Sequence, residues 1–226
     1  MKRALPIVII VGVFAISILS FRYLKSPVTN TPGTVAPATP VNRTGPVKLG
    51  AEPPHTLGDI NAPVLFEEFG DFECSPCGAL HPILKSISAE FGSGVVIVFR
   101  EFPLVTKHKH ALEAAQAAEA ASLQGKFWEM HNLLFENQKA WREAADVRPI
   151  FEEYAKRIGL VIDRFRQDLT SETVSRRIAL DRERGSWIGV VGTPTVFLNG
   201  HEIPLESLTI EKLRPLVNAE LHSIKN

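Results

Sequence analysis

The sequence predicts an α/β fold, a central mixed sheet flanked by helices with an all-helical segment inserted between its early and late strands. Three stretches carry that expectation: residues 64–99 read as strand, helix, strand; residues 108–187 show helical patterning; and residues 195–204 read as a β-hairpin. The 226 residues are 45% apolar, and 25 Lys and Arg balance 25 Asp and Glu. One folded unit is therefore expected, with no net charge to hold nucleic acid. Two cysteines cannot build the multi-bridge framework of a small secreted scaffold, and a chain of this length buries enough apolar surface without one.

Ahead of that unit, Lys2 and Arg3 lead into Ala4 to Phe21, eighteen uncharged residues closed by Arg22 and Lys25. As a helix at about 1.5 Å per residue the run reaches ~27 Å, close to the roughly 30 Å hydrocarbon core of a bilayer. Residues 1–25 are expected to be an N-terminal transmembrane anchor. A cleaved signal peptide is the alternative, although no A-x-A-like small-residue site follows the run. Basic residues at both ends nearly balance the positive-inside comparison, so an extracytoplasmic domain in the cell envelope is an expectation from the apolar run alone. Residues 26–56 hold seven prolines and no Phe, Tyr or Trp. Such a composition cannot form a core and reads as a tether, which leaves 57–226 as the globular domain.

Within the domain, residues 64–69 form a β-leaning run after Pro63. Residues 79–91 place Leu80, Ile83, Leu84, Ile87 and Phe91 at helical spacing, and Gly92-Ser93-Gly94 stops that helix. Residues 95–99 are continuous and β-branched, the mark of a buried strand. The two strands are expected to be parallel, joined by a right-handed crossover. Residues 111–124 and 127–137 favour helix, and Val147, Ile150, Phe151, Tyr154, Ala155 and Ile158 make one apolar stripe, with Asp146 as N-cap and Gly159 at the stop. Phe127, Trp128, Met130 and Phe135 are expected core. Residues 173–184 continue the helical pattern. Residues 195–198 return to strand, Asn199-Gly200 makes a tight turn, and residues 202–204 supply the partner edge. A last helix carries Leu213, Leu216, Val217, Leu221 and Ile224, with Pro215 expected to kink it or to mark its first turn.

Chemistry concentrates at Cys74-Ser75-Pro76-Cys77, which holds both cysteines at the passage from strand to helix. A thiol at a helix start lies near unpaired backbone N–H groups and the positive end of the helix dipole, both of which favour thiolate. Cys74 is thus the expected nucleophile. Cys77, three residues on, can reach the first sulfur and resolve a mixed disulfide. A structural zinc site would need two more soft ligands, and no second cysteine pair or His-x(3 to 5)-His set accompanies the motif. Copper(I) binding or delivery by the two thiolates stays open as the alternative. Glu68 would point to one face of a sheet covered on both sides, where desolvation raises a carboxyl pKa; Glu67 should face the other way. His81 reads as a packed or surface histidine, and Gly185-x-x-x-Gly189, outside the apolar segment, carries no message about membrane helix pairing.

The strand-CxxC-helix unit, Glu68 six residues before Cys74, Pro82 five after Cys77, and Gly192-Thr193-Pro194-Thr195 before a late strand together resemble the thioredoxin superfamily. Within it, the pattern is similar to the DsbA-like disulfide oxidoreductases over roughly residues 57–224. The resemblance implies a thioredoxin fold with a helical insertion at about 105–188 and a helix-kinking proline at Pro82. It also implies a cis Thr193-Pro194 bond that brings the Thr193 backbone beside Cys74, where an extended peptide would pair. Glu68 becomes the buried acid that exchanges a proton with Cys77, and Thr193, Ser75 and Pro76 become substrate contacts. The implied activity is thiol-disulfide exchange with cysteines of exported proteins, without a cofactor, recycled by a redox partner protein. A monomer is expected, because anchor and tether leave no room for an N-terminal dimerisation domain. Two departures bear on direction. The family's strong oxidants carry histidine between the cysteines, where this chain has Ser75-Pro76, and Asp71 and Glu73 are expected to hold the Cys74 pKa up. The site should then be less oxidising than the family's strongest members.

Overall fold

A computed structural model describes residues 49–223; the expected anchor, the expected tether as far as residue 48, and Ile224 lie outside the described residues. Among the described residues no helix is long and apolar enough to cross a membrane. Five strands, β1 (His55–Leu57), β2 (Val64–Gly70), β3 (Val95–Glu101), β4 (Thr195–Leu198) and β5 (His201–Ile203), form one sheet in the order β1-β3-β2-β4-β5. Only β2 and β3 run parallel, as their helical crossover requires; the other three pairings are antiparallel. The sheet is mixed.

α1 (Ser75–Phe91) makes the crossover, and α8 (Ile210–Ser223) packs beside it. Val64 and Phe66 of β2, Val95 and Ile97 of β3, and Val196 and Leu198 of β4 meet Leu80, Leu84 and Ile87 of α1 and Leu213 and Val217 of α8 in one buried cluster. Pro215 lies inside α8. α1 begins four residues before the apolar spacing announces it, because Pro76 in its first turn needs no N–H partner there. Pro82 interrupts its ladder, and the Ser86 hydroxyl donates to the Pro82 carbonyl at 2.8 Å.

Six helices form the insertion: α2 (Ala111–Ser122), α3 (Phe127–Glu136), α4 (Gln138–Trp141), α5 (Arg148–Arg157), α6 (Ile162–Asp168) and α7 (Glu172–Ile188). The alanines of α2 give its core room for Met130, Trp141, Phe151 and Phe165, all buried. Phe127 and Phe135 are buried with them, whereas Trp128 is partly exposed. α5 starts one residue later than the apolar stripe suggests; Asp146 Oδ1 still accepts the Arg148 N–H at 3.0 Å, and Gly159 turns at φ +79° beyond the last turn. The hairpin turn is as expected, with Asn199 at φ 47° and Gly200 at φ 83°.

One boundary differs. The expected tether ran to residue 56, but Ala51 is fully buried, His55–Leu57 pairs with β3, and Trp128 Nε1–H donates to the Thr56 carbonyl at 2.7 Å. The segment joins the domain through backbone groups, those of Ala51 held by Asp181 and Arg100, and through His55, which meets Glu119 at 2.9 Å and stacks on Phe127; none of these leaves an apolar periodicity to read.

Gly185 explains how α7 lies against the sheet: a Cβ there would stand 2.7 Å from Phe102 Cε2 and 3.0 Å from Phe69 Cδ1. Gly185→Ala should therefore lower stability by about 1–3 kcal/mol through overpacking, although alanine is the better helix former by roughly 1 kcal/mol. Urea unfolding checks this; a stabilised variant would mean that the close approach does not exist.

Candidate active site

The loop between β2 and α1 is held from several sides. The Asp71 carbonyl accepts the Cys74 N–H at 3.1 Å, Asp71 Oδ1 accepts the Glu73 N–H at 2.8 Å, and Asp71 Oδ2 accepts the Leu104 N–H and faces His108 Nδ1, each at 2.8 Å. Glu73 Oε2 accepts the His110 N–H at 2.6 Å. Cys74 sits just before the first helical residue with an extended backbone, φ −68° and ψ 118°. It is the outer sulfur of the pair: Cys74 retains 4% exposure, Cys77 none, and both are free thiols.

The sulfurs differ sharply in proton affinity. The Cys74 pKa is lowered to about 6, first by a hydrogen bond from the Cys77 side chain; burial opposes this, and Thr193 and the Cys77 backbone N–H assist. Cys77 is pushed well up, first by burial, then because its hydrogen bond to Cys74 holds its proton, with the charges of Glu68 and Cys74 adding to the effect. The expected opposition of the nearby acids is present at Asp71, yet the net shift of Cys74 is downward, toward the thiolate expected at a helix start. Asp71 does oppose the charge, but the donor at Cys77 outweighs it, and Glu73 is engaged with His110.

Thr193-Pro194 is cis, and Cys74 Sγ lies 3.3 Å from the Thr193 carbonyl oxygen. Ser75 and Pro76 are exposed beside the sulfur, and Pro194 is buried. The structure thus brings Cys74, Cys77, Thr193 and Pro194 together.

Glu68 and Glu67 are neighbours treated in opposite ways. Glu67 faces α7; burial raises its pKa, but Arg184, donating to both its oxygens, and Arg100 Nε at 2.9 Å outweigh that and keep it ionised. Glu68 faces α1, is fully buried, and its Oε1 meets no donor among the described residues. Burial, then the Cys74 charge, raises its pKa to about 8. A cavity of about 270 Å³ opens beside it, lined also by His81, His131, Asn132 and Trp128, with Lys85 and Ser88 toward the surface. His81 is buried, its Nε2 lies 2.9 Å from Asn132 Oδ1, and burial lowers its pKa.

Three polar residues at the site left no signal in the sequence. Gln138 Nε2 donates to the carbonyls of Phe72 at 2.7 Å and Cys74 at 2.9 Å, Arg142 donates to Ser75 Oγ, and His131 lines the cavity. All lie more than fifty residues beyond the cysteines, on helices or directly after one, at polar positions that resemble any others. Among the described residues no three His, Cys, Asp or Glu side chains are grouped to hold a metal.

Fold and site together define a thioredoxin-type domain with a helical insertion and a cysteine pair at the head of its crossover helix. A family model described as thioredoxin matches residues 51–219, and the chain belongs to that family. Its fold is similar to BdbD from Bacillus subtilis (TM-score 0.65, 24% identity, 75% of this chain and 93% of that one). It is similar also to alpha-DsbA1 from Wolbachia pipientis (TM-score 0.64, 19% identity, 77% and 94%). A thioredoxin-like oxidoreductase from Silicibacter pomeroyi gives a TM-score of 0.61 at 23% identity, over 74% of this chain and 91% of that one. By sequence, the chain is 40% identical over 171 residues to Na(+)/H(+) antiporter NhaA 3 of Salinispora tropica, which covers 74% of this chain and 25% of the antiporter. It is 33% identical over 206 residues to NhaA 1 of Mycolicibacterium vanbaalenii, covering 88% and 32%. The matched region thus spans a quarter to a third of those relatives.

Two outcomes follow from the proton affinities. Thiolate absorbance of the reduced protein should titrate with a midpoint near 6, and Cys77→Ala should raise that midpoint by a unit or more, since the largest stabiliser of the charge is removed; an unmoved midpoint would contradict the shared proton. The unfolded Glu68 carboxyl gives up its proton at about 4.5, the folded one only near 8. Its contribution to stability is complete below pH 4.5 and is lost as pH rises toward 8, reaching on the order of 3 kcal/mol by pH 7. Glu68→Gln should therefore gain stability over wild type progressively from pH 4.5 to 8 in urea unfolding; a difference independent of pH would place Glu68 in water.

Proposed function

We propose that this domain is a protein thiol-disulfide oxidoreductase that exchanges disulfides with cysteines of exported proteins through Cys74 and Cys77. The observation that carries the reading is the unequal sulfur pair: an outer sulfur with a pKa near 6 beside an inner, fully buried one that keeps its proton. At neutral pH the outer sulfur is a thiolate, the nucleophile of exchange.

In the reducing direction the Cys74 thiolate attacks a substrate disulfide, forming one S–S bond and expelling a substrate thiolate. Cys77 then loses its proton and attacks Cys74, which releases the second substrate thiolate and leaves the Cys74-Cys77 disulfide. Oxidation of a substrate is the same sequence reversed. Glu68 is suited to take the Cys77 proton. The Cys74 charge contributes to its raised pKa, so once Cys74 enters the mixed disulfide the carboxyl becomes a stronger acid and its proton can leave by the adjoining cavity. The Thr193 backbone, Ser75 and Pro76 border Cys74 and form the surface that an extended substrate strand would meet.

The apolar run of residues 4–21 supports placement outside the cytoplasmic membrane, held by an anchor or released after signal cleavage. A redox partner protein recycles the pair, and the domain works as a monomer. Sodium-proton antiport is not carried over from the NhaA relatives, because the aligned segment folds here as the thioredoxin domain. Copper(I) delivery would use two thiolates, and a Cys77 that holds its proton so firmly suits exchange better.

Reduction of insulin and oxidation of reduced ribonuclease test the reading. Wild type should catalyse at least one, Cys74→Ala neither, and Cys77→Ser should accumulate mixed disulfides through Cys74 that dithiothreitol cleaves. Wild type indistinguishable from Cys74→Ala in both assays would overturn it.

A further inference from the structure

The two ends of the short helix α4 are buried and engaged, one with the insertion core and the other with the cysteine turn. Trp141 is fully buried, and its Nε1–H donates to the Leu134 carbonyl at 2.8 Å, which fixes α4 to the insertion core. Gln138, buried at the other end, bonds from one amide nitrogen to the carbonyls of Phe72 and Cys74, the residues on either side of Glu73. α1 leaves room for it: a Cβ on Gly78 would stand 2.8 Å from Gln138 Oε1. Arg142, directly after α4, donates to the hydroxyl of Ser75, the residue that follows Cys74.

We propose that Gln138 and Arg142 are positioning residues that hold the Cys74 turn in its thiolate form, so that the helical insertion sets the oxidising strength of the cysteine pair. The inference rests on the disulfide-exchange reading and extends it. Carbonyl dipoles beside a thiolate oppose its charge unless a donor occupies them, and Gln138 supplies that donor to two of them. The ionisable groups facing Cys74 from its own loop, from β2 and from α1 are Asp71, Glu68 and Cys77. None is a cation. Arg142 brings positive charge to Ser75 from the insertion, partly screened because its side chain is 32% exposed and because Glu143 lies 3.4 Å from its Nε. Between the cysteines, where Ser75 and Pro76 offer no side-chain cation, the Ser75 hydroxyl instead receives one from outside the motif.

The consequence for redox balance is direct. Oxidation of the pair consumes the Cys74 thiolate and the Cys77 thiol, passes two electrons to the incoming disulfide, and releases one proton. Whatever stabilises the thiolate stabilises the reduced form, and so makes the disulfide a stronger oxidant.

The test uses the full chain with Arg142→Met, Arg142→Lys and Gln138→Leu, followed by thiolate absorbance against pH and by the equilibrium constant with glutathione. Arg142→Met should raise the thiolate midpoint and shift the equilibrium toward the protein disulfide by about twofold to fivefold, the range for a half-screened charge. Arg142→Lys should recover most of that shift, and high salt should shrink it. Gln138→Leu should raise the midpoint at unchanged salt dependence; should that variant fail to fold, the two Arg142 variants decide. Wild-type midpoints in both Arg142 variants would overturn the proposal. The titration needs no turnover, so a protein that exchanges no disulfide would defeat the proposed activity while the midpoints still judge Gln138 and Arg142.

Discussion

The buried thiol of Cys77 donates a hydrogen bond to the sulfur of Cys74, and the remainder of the site is arranged around that one proton. Because Cys77 is fully enclosed, ionising it would place a charge where no water can reach. Because Cys74 receives the donated proton at the head of a helix, its own charge is tolerated. The same bond thus lowers one pKa and raises the other. Two chemically identical side chains three residues apart thus differ sharply in proton affinity.

Strand β2 repeats that logic with carboxyls. Glu67 and Glu68 differ only in the face of the sheet that they meet, yet one has two arginines and the other has an unbonded oxygen, a cavity and a nearby thiolate. Leaving a buried acid unpaired costs stability. Glu67, with its arginines, instead ties the sheet to α7, where Gly185 lets the helix lie flat on Phe69 and Phe102. The paired and the unpaired carboxyl are separated by the two-residue period of a strand.

How much of this was legible in the sequence depended on whether a feature is local. The CxxC at the strand end, the β-branched run of β3, the Asn199-Gly200 turn and the apolar stripe of α5 are short-range patterns, and each lies where its spacing indicated. The β1 strand was hidden, since Pro53 and Pro54 lead into it and its pairing with β3 is through backbone. Gln138 and Arg142 were hidden because their partners lie more than sixty residues away and include two carbonyl oxygens, which no residue type announces. The balance that sets the Cys74 proton affinity was hidden for a related reason. The acids Asp71 and Glu73 are visible beside it in the chain, whereas the burial of Cys77 that governs it is a property of the packed fold.

The most direct test of the shared proton is the reduction potential of the Cys74-Cys77 couple measured across pH in Glu68→Gln, which carries no carboxyl whose proton follows the Cys74 charge. With Cys74 already ionised above its midpoint near 6, reduction takes up two protons below that pH and one above it. The slope should therefore break there, from about 59 to about 30 mV per pH unit. An unbroken slope of about 59 mV per pH unit through pH 8 would mean two ordinary thiols, and would contradict the account at its base.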